Sequence, residues 1–198
     1  MSKIKRTIQM TNPPDYQEYL SEVLITAEDL QARIAELGAQ ISRDYKGADL
    51  LLVCILRGGV IFLADLIRGI TIPHAIDFMA VASYGAGARR STGTVRITMD
   101  LQHVDVRGRD VLLVEDIVDS GYTIKSVMGL LQSRQPNSLK VCTLLDKAAR
   151  REVVVPLEYV GFDIEDKFVF GYGLDLDEYY RNLPFIGVVN LDKYSPPD

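Results

Sequence analysis

VLLVEDIVDSGYTI, residues Val111 to Ile124, is the stretch on which the reading of this chain turns. A short apolar run ends in Glu115-Asp116; Asp119 follows, then the small, polar Ser120-Gly121-Tyr122-Thr123 and an apolar, helix-like segment. The second half is suited to an anion. A loop entering a helix exposes unpaired backbone N–H groups, and the helix dipole adds partial positive charge. Gly121 permits close backbone approach, and the Ser120 and Thr123 hydroxyls can donate further bonds. The plainer alternative is that Asp119 or Ser120 caps the helix. No GxxxxGK[ST] is present, so this is not a P-loop. Three carboxylates standing in front of an anion seat are the anomaly to be explained.

Outward from this stretch, buried strands alternate with helices. Asp49 to Leu56 is continuously apolar and short, as expected of a strand covered on both faces, and VIFLADLIR after Gly58-Gly59 reads as a helix. Further strands are expected at Ile76 to Ser83, in TVRITMD, at Val111 to Glu115, at Leu139 to Leu145, and at 159–163, 167–172 and 185–190. Helices are expected from about Tyr122 to Ser133 and after Thr26, where Thr26 and Asp29 resemble a capping box and Leu30, Ile34, Leu37 and Ile41 recur at helical spacing. Residues 1–25, with Pro13-Pro14, read as irregular. The pattern implies an α/β fold with a mainly parallel sheet flanked by helices. Ligands then bind outside the carboxyl ends of the strands, after Leu56, Glu115 and Leu145.

The 198 residues fit one domain. A net charge of −5 argues against a broad nucleic-acid or membrane-binding face. Cys54 and Cys142 each lie in an apolar run, which points to buried thiols in a reducing compartment. No apolar stretch reaches membrane-spanning length. A cytoplasmic protein is expected.

Apolar strand, two acids, two apolar residues, then D-S-G-Y-T resembles the phosphoribosyl-pyrophosphate (PRPP) signature of type I phosphoribosyltransferases. SYGAGARRSTG, LLDKAAR and VGFDIEDKFVFGYGLDLDEYYRNLPFIGVV narrow the resemblance to the 6-oxopurine branch, over roughly residues 50 to 190. The resemblance implies the following roles. Glu115 and Asp116 hold the ribose hydroxyls, directly or through Mg²⁺. The segment Ile117, Val118, Asp119, Ser120, Gly121, Tyr122 and Thr123 holds the nucleotide, with Ser120 to Thr123 around the 5-phosphate and Asp119 as candidate general base. Arg57-Gly58 forms a pyrophosphate loop, often with a cis peptide in this family, although many relatives carry lysine at the position of Arg57. Lys147 donates to the purine 6-oxo group, Phe168 stacks on the base, the Val169 backbone meets its Watson–Crick edge, and Lys167 and Asp175 complete the purine set. Asp175 also stands near the pyrophosphate Mg²⁺ with Glu115 and Asp116, and Arg181 binds the pyrophosphate. Ser83-Tyr84 opens a lid loop running to Gly93. A small hood formed by about 1–25 and 151–198 over a core of about 26–150 is implied, as is a homodimer or homotetramer.

Viewed singly, most of these residues have ordinary readings. Lys147 is an exposed strand-end lysine, Phe168 is core packing, and Asp175 and Arg181 are solvated. Two whole-chain readings compete: an enzyme joining a 6-oxopurine, hypoxanthine and/or guanine, to PRPP, and an RNA-binding regulator that keeps the PRPP motif. The regulator needs a basic surface and has no use for the purine set. A xanthine-preferring transferase is a further alternative.

Overall fold

The computed structural model describes residues 15–83, 95–102 and 104–194. After a short 3-10 turn come β1 (Leu20–Ile25), α1 (Ala27–Asp44), β2 (Leu50–Leu56), α2 (Gly59–Gly69), β3 (His74–Ser83) and β4 (Val95–Met99). Then follow β5 (Asp110–Val118), α3 (Tyr122–Ser133), β6 (Ser138–Asp146), β7 (Tyr159–Asp163), β8 (Val169–Phe170) and β9 (Ile186–Val189). The expected capping box is present: the Thr26 hydroxyl accepts from the Asp29 amide at 3.1 Å and starts α1.

Six strands form the main sheet in the order β4-β3-β2-β5-β6-β7. Every pairing among β3, β2, β5, β6 and β7 is parallel, and β4 closes one edge antiparallel. Because side chains alternate across a strand, β2 feeds two cores. Leu50, Leu52 and Cys54 join the cluster under α1 and α2, while Leu51, Val53 and Ile55 join the cluster that contains Ile124, Val127 and Leu131 of α3. Continuous apolar strands thus follow from a sheet covered on both faces. The two directions of winding part between β2 and β5, and the crevice at their carboxyl ends is where a sheet of this kind receives ligand.

A second, antiparallel sheet joins β1, β9 and β8. Here the sequence expectation for residues 1–25 is corrected, since Leu20–Ile25 is a strand. Its LSEVLI sequence lacks clean alternation, and its pairing with β9 is interrupted by two register shifts. The strand expected at 167–172 is confined to Val169–Phe170, because Gly171, Tyr172 and Gly173 all take positive φ and turn the chain. The strand expected to stop at Glu115 runs on to Val118, so its acids lie within the sheet. The main sheet also continues past residue 150, through β7. The lid segment from Tyr84 to Gly93 lies outside the described residues.

Candidate functional site

The anion seat is built by the exit of β5 into α3. Gly121 is the helix N-cap at φ 90° and brings no side chain to cap it. The N-cap position expected of Asp119 or Ser120 is thus held by a glycine. A methyl group at position 121 would stand 2.7 Å from the Val153 carbonyl oxygen, so the tight loop demands glycine. The chain after β6 braces this loop from behind. The amides of Glu152 and Val153 donate to the Ser120 carbonyl at 3.0 and 3.1 Å. Arg151 donates to the carbonyls of Asp119 (2.9 Å) and Val118 (3.2 Å) and pairs with Asp146. Ser120, Gly121 and Thr123 line a small cavity of about 100 Å³ together with Glu115, Ile117, Val118 and Asp119. The Tyr122 ring is directed elsewhere: the charge of Glu152 raises its phenol above the ordinary range.

A larger compartment, about 680 Å³, adjoins it through Glu115 and Thr123. Arg57, Gly58, Asp116, Asp175, Glu178 and Arg181 line it, with Thr98 contributed by β4. The Leu56-Arg57 peptide is cis. A methyl group at Gly58 would overlap the Asp116 carboxylate, so the loop after β2 and the acid of β5 fit only without a side chain there. Arg181 donates to the Gly173 carbonyl and pairs with Asp175, both at 2.8 Å. Glu115 and Asp116 are each 8% exposed. Burial, and then the charge of Asp116, push the Glu115 carboxyl well above its ordinary value. Glu115 Oε2 has no hydrogen-bond partner, and Asp116 Oδ1 accepts from the Ile117 amide at 2.9 Å. A buried carboxylate oxygen without a partner beside a second acid suits a hydroxyl donor or a hard cation. Among the described residues, no three Asp, Glu, His or Cys gather into a metal cage. Glu115, Asp116 and Asp175 share the compartment without forming one. That fits Mg²⁺, which is held by one or two carboxylates plus substrate phosphates.

The third compartment, about 210 Å³, is lined by Ile117, Asp119, Lys147, Phe168, Val169, Leu174 and Asp175. Lys147 is 6% exposed and donates to the Lys167 carbonyl at 2.8 Å, so it is no solvated strand-end lysine. Phe168 is 40% exposed, its ring 5.8 Å from that of Tyr194, and it turns a free face to the cavity instead of entering the core. Asp119 Oδ1 lies 3.2 Å from Arg150 Nε, at ion-pair distance but without hydrogen-bond alignment. The Lys167 ammonium pairs with Glu22 and Glu165, and its backbone carbonyl is what reaches Lys147. Of the lid residues, Ser83 ends β3 and Tyr84 lies outside the described residues.

The structure thus brings Arg57, Gly58, Glu115 to Gly121, Thr123, Lys147, Phe168, Val169, Asp175 and Arg181 around one divided cleft. Arg150, Arg151, Thr98 and Glu178 also border or brace this cleft, and no sequence motif announced them. A second and third basic residue close behind Lys147 was the available signal for the two arginines; Thr98 and Glu178 offered none.

Comparison with known proteins gives an independent view. The family model described as phosphoribosyl transferase domain matches residues 25–178. A hypoxanthine phosphoribosyltransferase of Salmonella typhimurium is 53% identical over 175 residues, covering 87% of this chain and 97% of its own. A hypoxanthine-guanine phosphoribosyltransferase of Mycobacterium avium is 48% identical over 202 residues, covering 98% of both chains. The crystal structure of a hypoxanthine phosphoribosyltransferase from Staphylococcus aureus superposes with a TM-score of 0.86 at 49% identity, covering 90% of this chain and 96% of its own.

Proposed function

The chain belongs to the phosphoribosyltransferase family, and we propose that its three compartments divide one substrate pair among them. It is a purine salvage enzyme that transfers the 5-phosphoribosyl group from PRPP to hypoxanthine and/or guanine, giving the nucleoside monophosphate and pyrophosphate. The observation that carries the assignment of parts is the contiguity of the cavities. Glu115 and Thr123 are shared by the first and second, Asp119 and Ile117 by the first and third, and Asp175 by the second and third.

In this reading the glycine-capped start of α3, with Ser120 to Thr123, takes the 5-phosphate. Glu115 and Asp116 meet the ribose hydroxyls. Lys147 receives the purine 6-oxo group, Phe168 stacks on the ring, and the Val169 backbone reads its edge. The pyrophosphate lies against Arg181 and the amides after Arg57. Attack at ribose C1 passes through an oxocarbenium-like state while negative charge grows on the leaving pyrophosphate. Donors fixed beforehand stabilise that charge without reorganising. Mg²⁺, held by Glu115, Asp116 or Asp175 with the substrate's own oxygens, would supply further charge neutralisation. Asp119 takes the purine N7 proton. Its carboxylate already lies at the border between phosphate and purine compartments. A hood from the terminal segments, a lid opening at Ser83-Tyr84, a homo-oligomeric working form and a cytoplasmic site belong to the same proposal. The two free, buried cysteines agree with a reducing compartment.

A coupled assay with PRPP and Mg²⁺ against hypoxanthine, guanine, xanthine and adenine tests the reading. Monophosphate is expected from hypoxanthine or guanine and not from adenine. Absence of product with every base removes it.

A further inference from the structure

Glu178 is an acid in the compartment where an anion should bind, and the roles above give it no task. Its Oε2 pairs with Arg57 Nη2 and lies 3.8 Å from Arg181 Nη2, so both arginines of that compartment converge on one carboxylate. Arg181 is otherwise anchored by Asp175 and the Gly173 carbonyl. The backbone presents Glu178 deliberately: its φ is 74°, in the left-handed region that a glutamate rarely visits, and its amide donates to Asp175 Oδ2 at 2.9 Å. Such conformations persist where the surroundings over-determine them, and they cluster at ligand clamps.

We propose that Glu178 is the resident counter-anion of the pyrophosphate compartment. Its carboxylate occupies the arginine seat in the ligand-free protein, yields it to the diphosphate of PRPP, and returns as pyrophosphate leaves. Glu178 therefore sets the affinity for the diphosphate group. This rests on the phosphoribosyl-transfer reading given above. The exchange is physically favourable. The Glu178 side chain is 62% exposed, and an exposed ion pair holds its partners weakly. A diphosphate brings more charge and more acceptors to the same guanidinium forks. Once the ligand is seated, the displaced carboxylate repels it and shortens its stay.

The test is direct titration of pyrophosphate, with Mg²⁺, onto the wild-type chain and onto Glu178→Gln and Glu178→Ala. Both variants remove the charge, one keeping the shape and one not. Pyrophosphate should bind both variants about threefold to tenfold more tightly, the scale an exposed charge interaction commands. The KM for PRPP should fall in step, the KM for hypoxanthine should hold, and kcat should fall if product release limits turnover. Unchanged or weaker pyrophosphate binding in both variants overturns the inference and makes Glu178 an aligner of Arg57. Binding is read without turnover, so the two readings fail separately. Tighter pyrophosphate binding in a chain that processes no purine supports the counter-anion and removes the transfer reaction. Normal turnover with unchanged binding in both variants does the opposite.

Discussion

Glu115 lies within β5 and Asp119 just past its end, and their surroundings differ. Asp119 lines the first and third cavities and has Arg150 as an ion-pair neighbour. General-base assistance is worth on the order of 10²–10⁴ in rate. Asp119→Asn should therefore lower kcat within that range and leave the Kd for PRPP within about twofold; steady-state kinetics beside direct binding decides it. Glu115 is buried with an unpartnered oxygen, and its carboxyl is held well above the ordinary 4.5. A carboxyl raised by folding favours the native state while protonated and loses that contribution as pH rises above its ordinary value. Glu115→Gln replaces this destabilised carboxyl with a neutral amide of the same shape. The ligand-free variant should be more stable at neutral pH by about 1–3 kcal/mol, the cost of an uncompensated buried polar group, while binding PRPP poorly. Paired denaturation and binding curves check both halves. The D-S-G-Y-T signature was legible in the sequence because its residues are contiguous, whereas the purine set, spread from Lys147 to Asp175, was expected only through the family resemblance. Glu178 was not, since its partner Arg57 is 121 residues away and a charge in LDLDEYYR looks like any solvated acid.

At the scale of elements, the loop from β5 into α3 is only as well placed as the segment behind it. Arg151 holds two loop carbonyls and Asp146 through one planar guanidinium. Lysine offers a single point charge and cannot reproduce that fork. Arg151→Lys should cost about 1–3 kcal/mol of stability, as expected when buried carbonyls lose a donor, and weaken PRPP binding without changing the purine contacts. Urea denaturation and the ratio of the two KM values measure it; an intact PRPP affinity would remove Arg151 from this positioning role. Apolar runs made the inner main-sheet strands readable in advance, since burial on both faces imposes them, and alternation marked the edge strand β4. β1 escaped because its edge position and register shifts leave no alternation to read. The end of β5 escaped because Glu115 and Asp116 resemble loop residues, whereas both are buried within the strand.

For the whole molecule, winding that reverses between β2 and β5 opens one crevice, and the loops after β2, β5 and β6 enter it with the segment that follows β8. The three carboxylates that seemed to oppose an anion are distributed along it. Glu115 lines the first and second compartments, Asp116 the second, and Asp119 the first and third, while the N-cap of α3 is a glycine and not an acid. The parts were legible one by one, but their contiguity was not, because it depends on how far each loop reaches over the sheet. A crystal structure of the chain with inosine monophosphate, pyrophosphate and Mg²⁺ measures that contiguity directly. It should place the phosphate at Ser120 to Thr123, the purine against Phe168 with Lys147 at its 6-oxo group, and pyrophosphate between Arg57 and Arg181. A nucleotide phosphate found at Arg181, or a purine away from Phe168, would contradict the account.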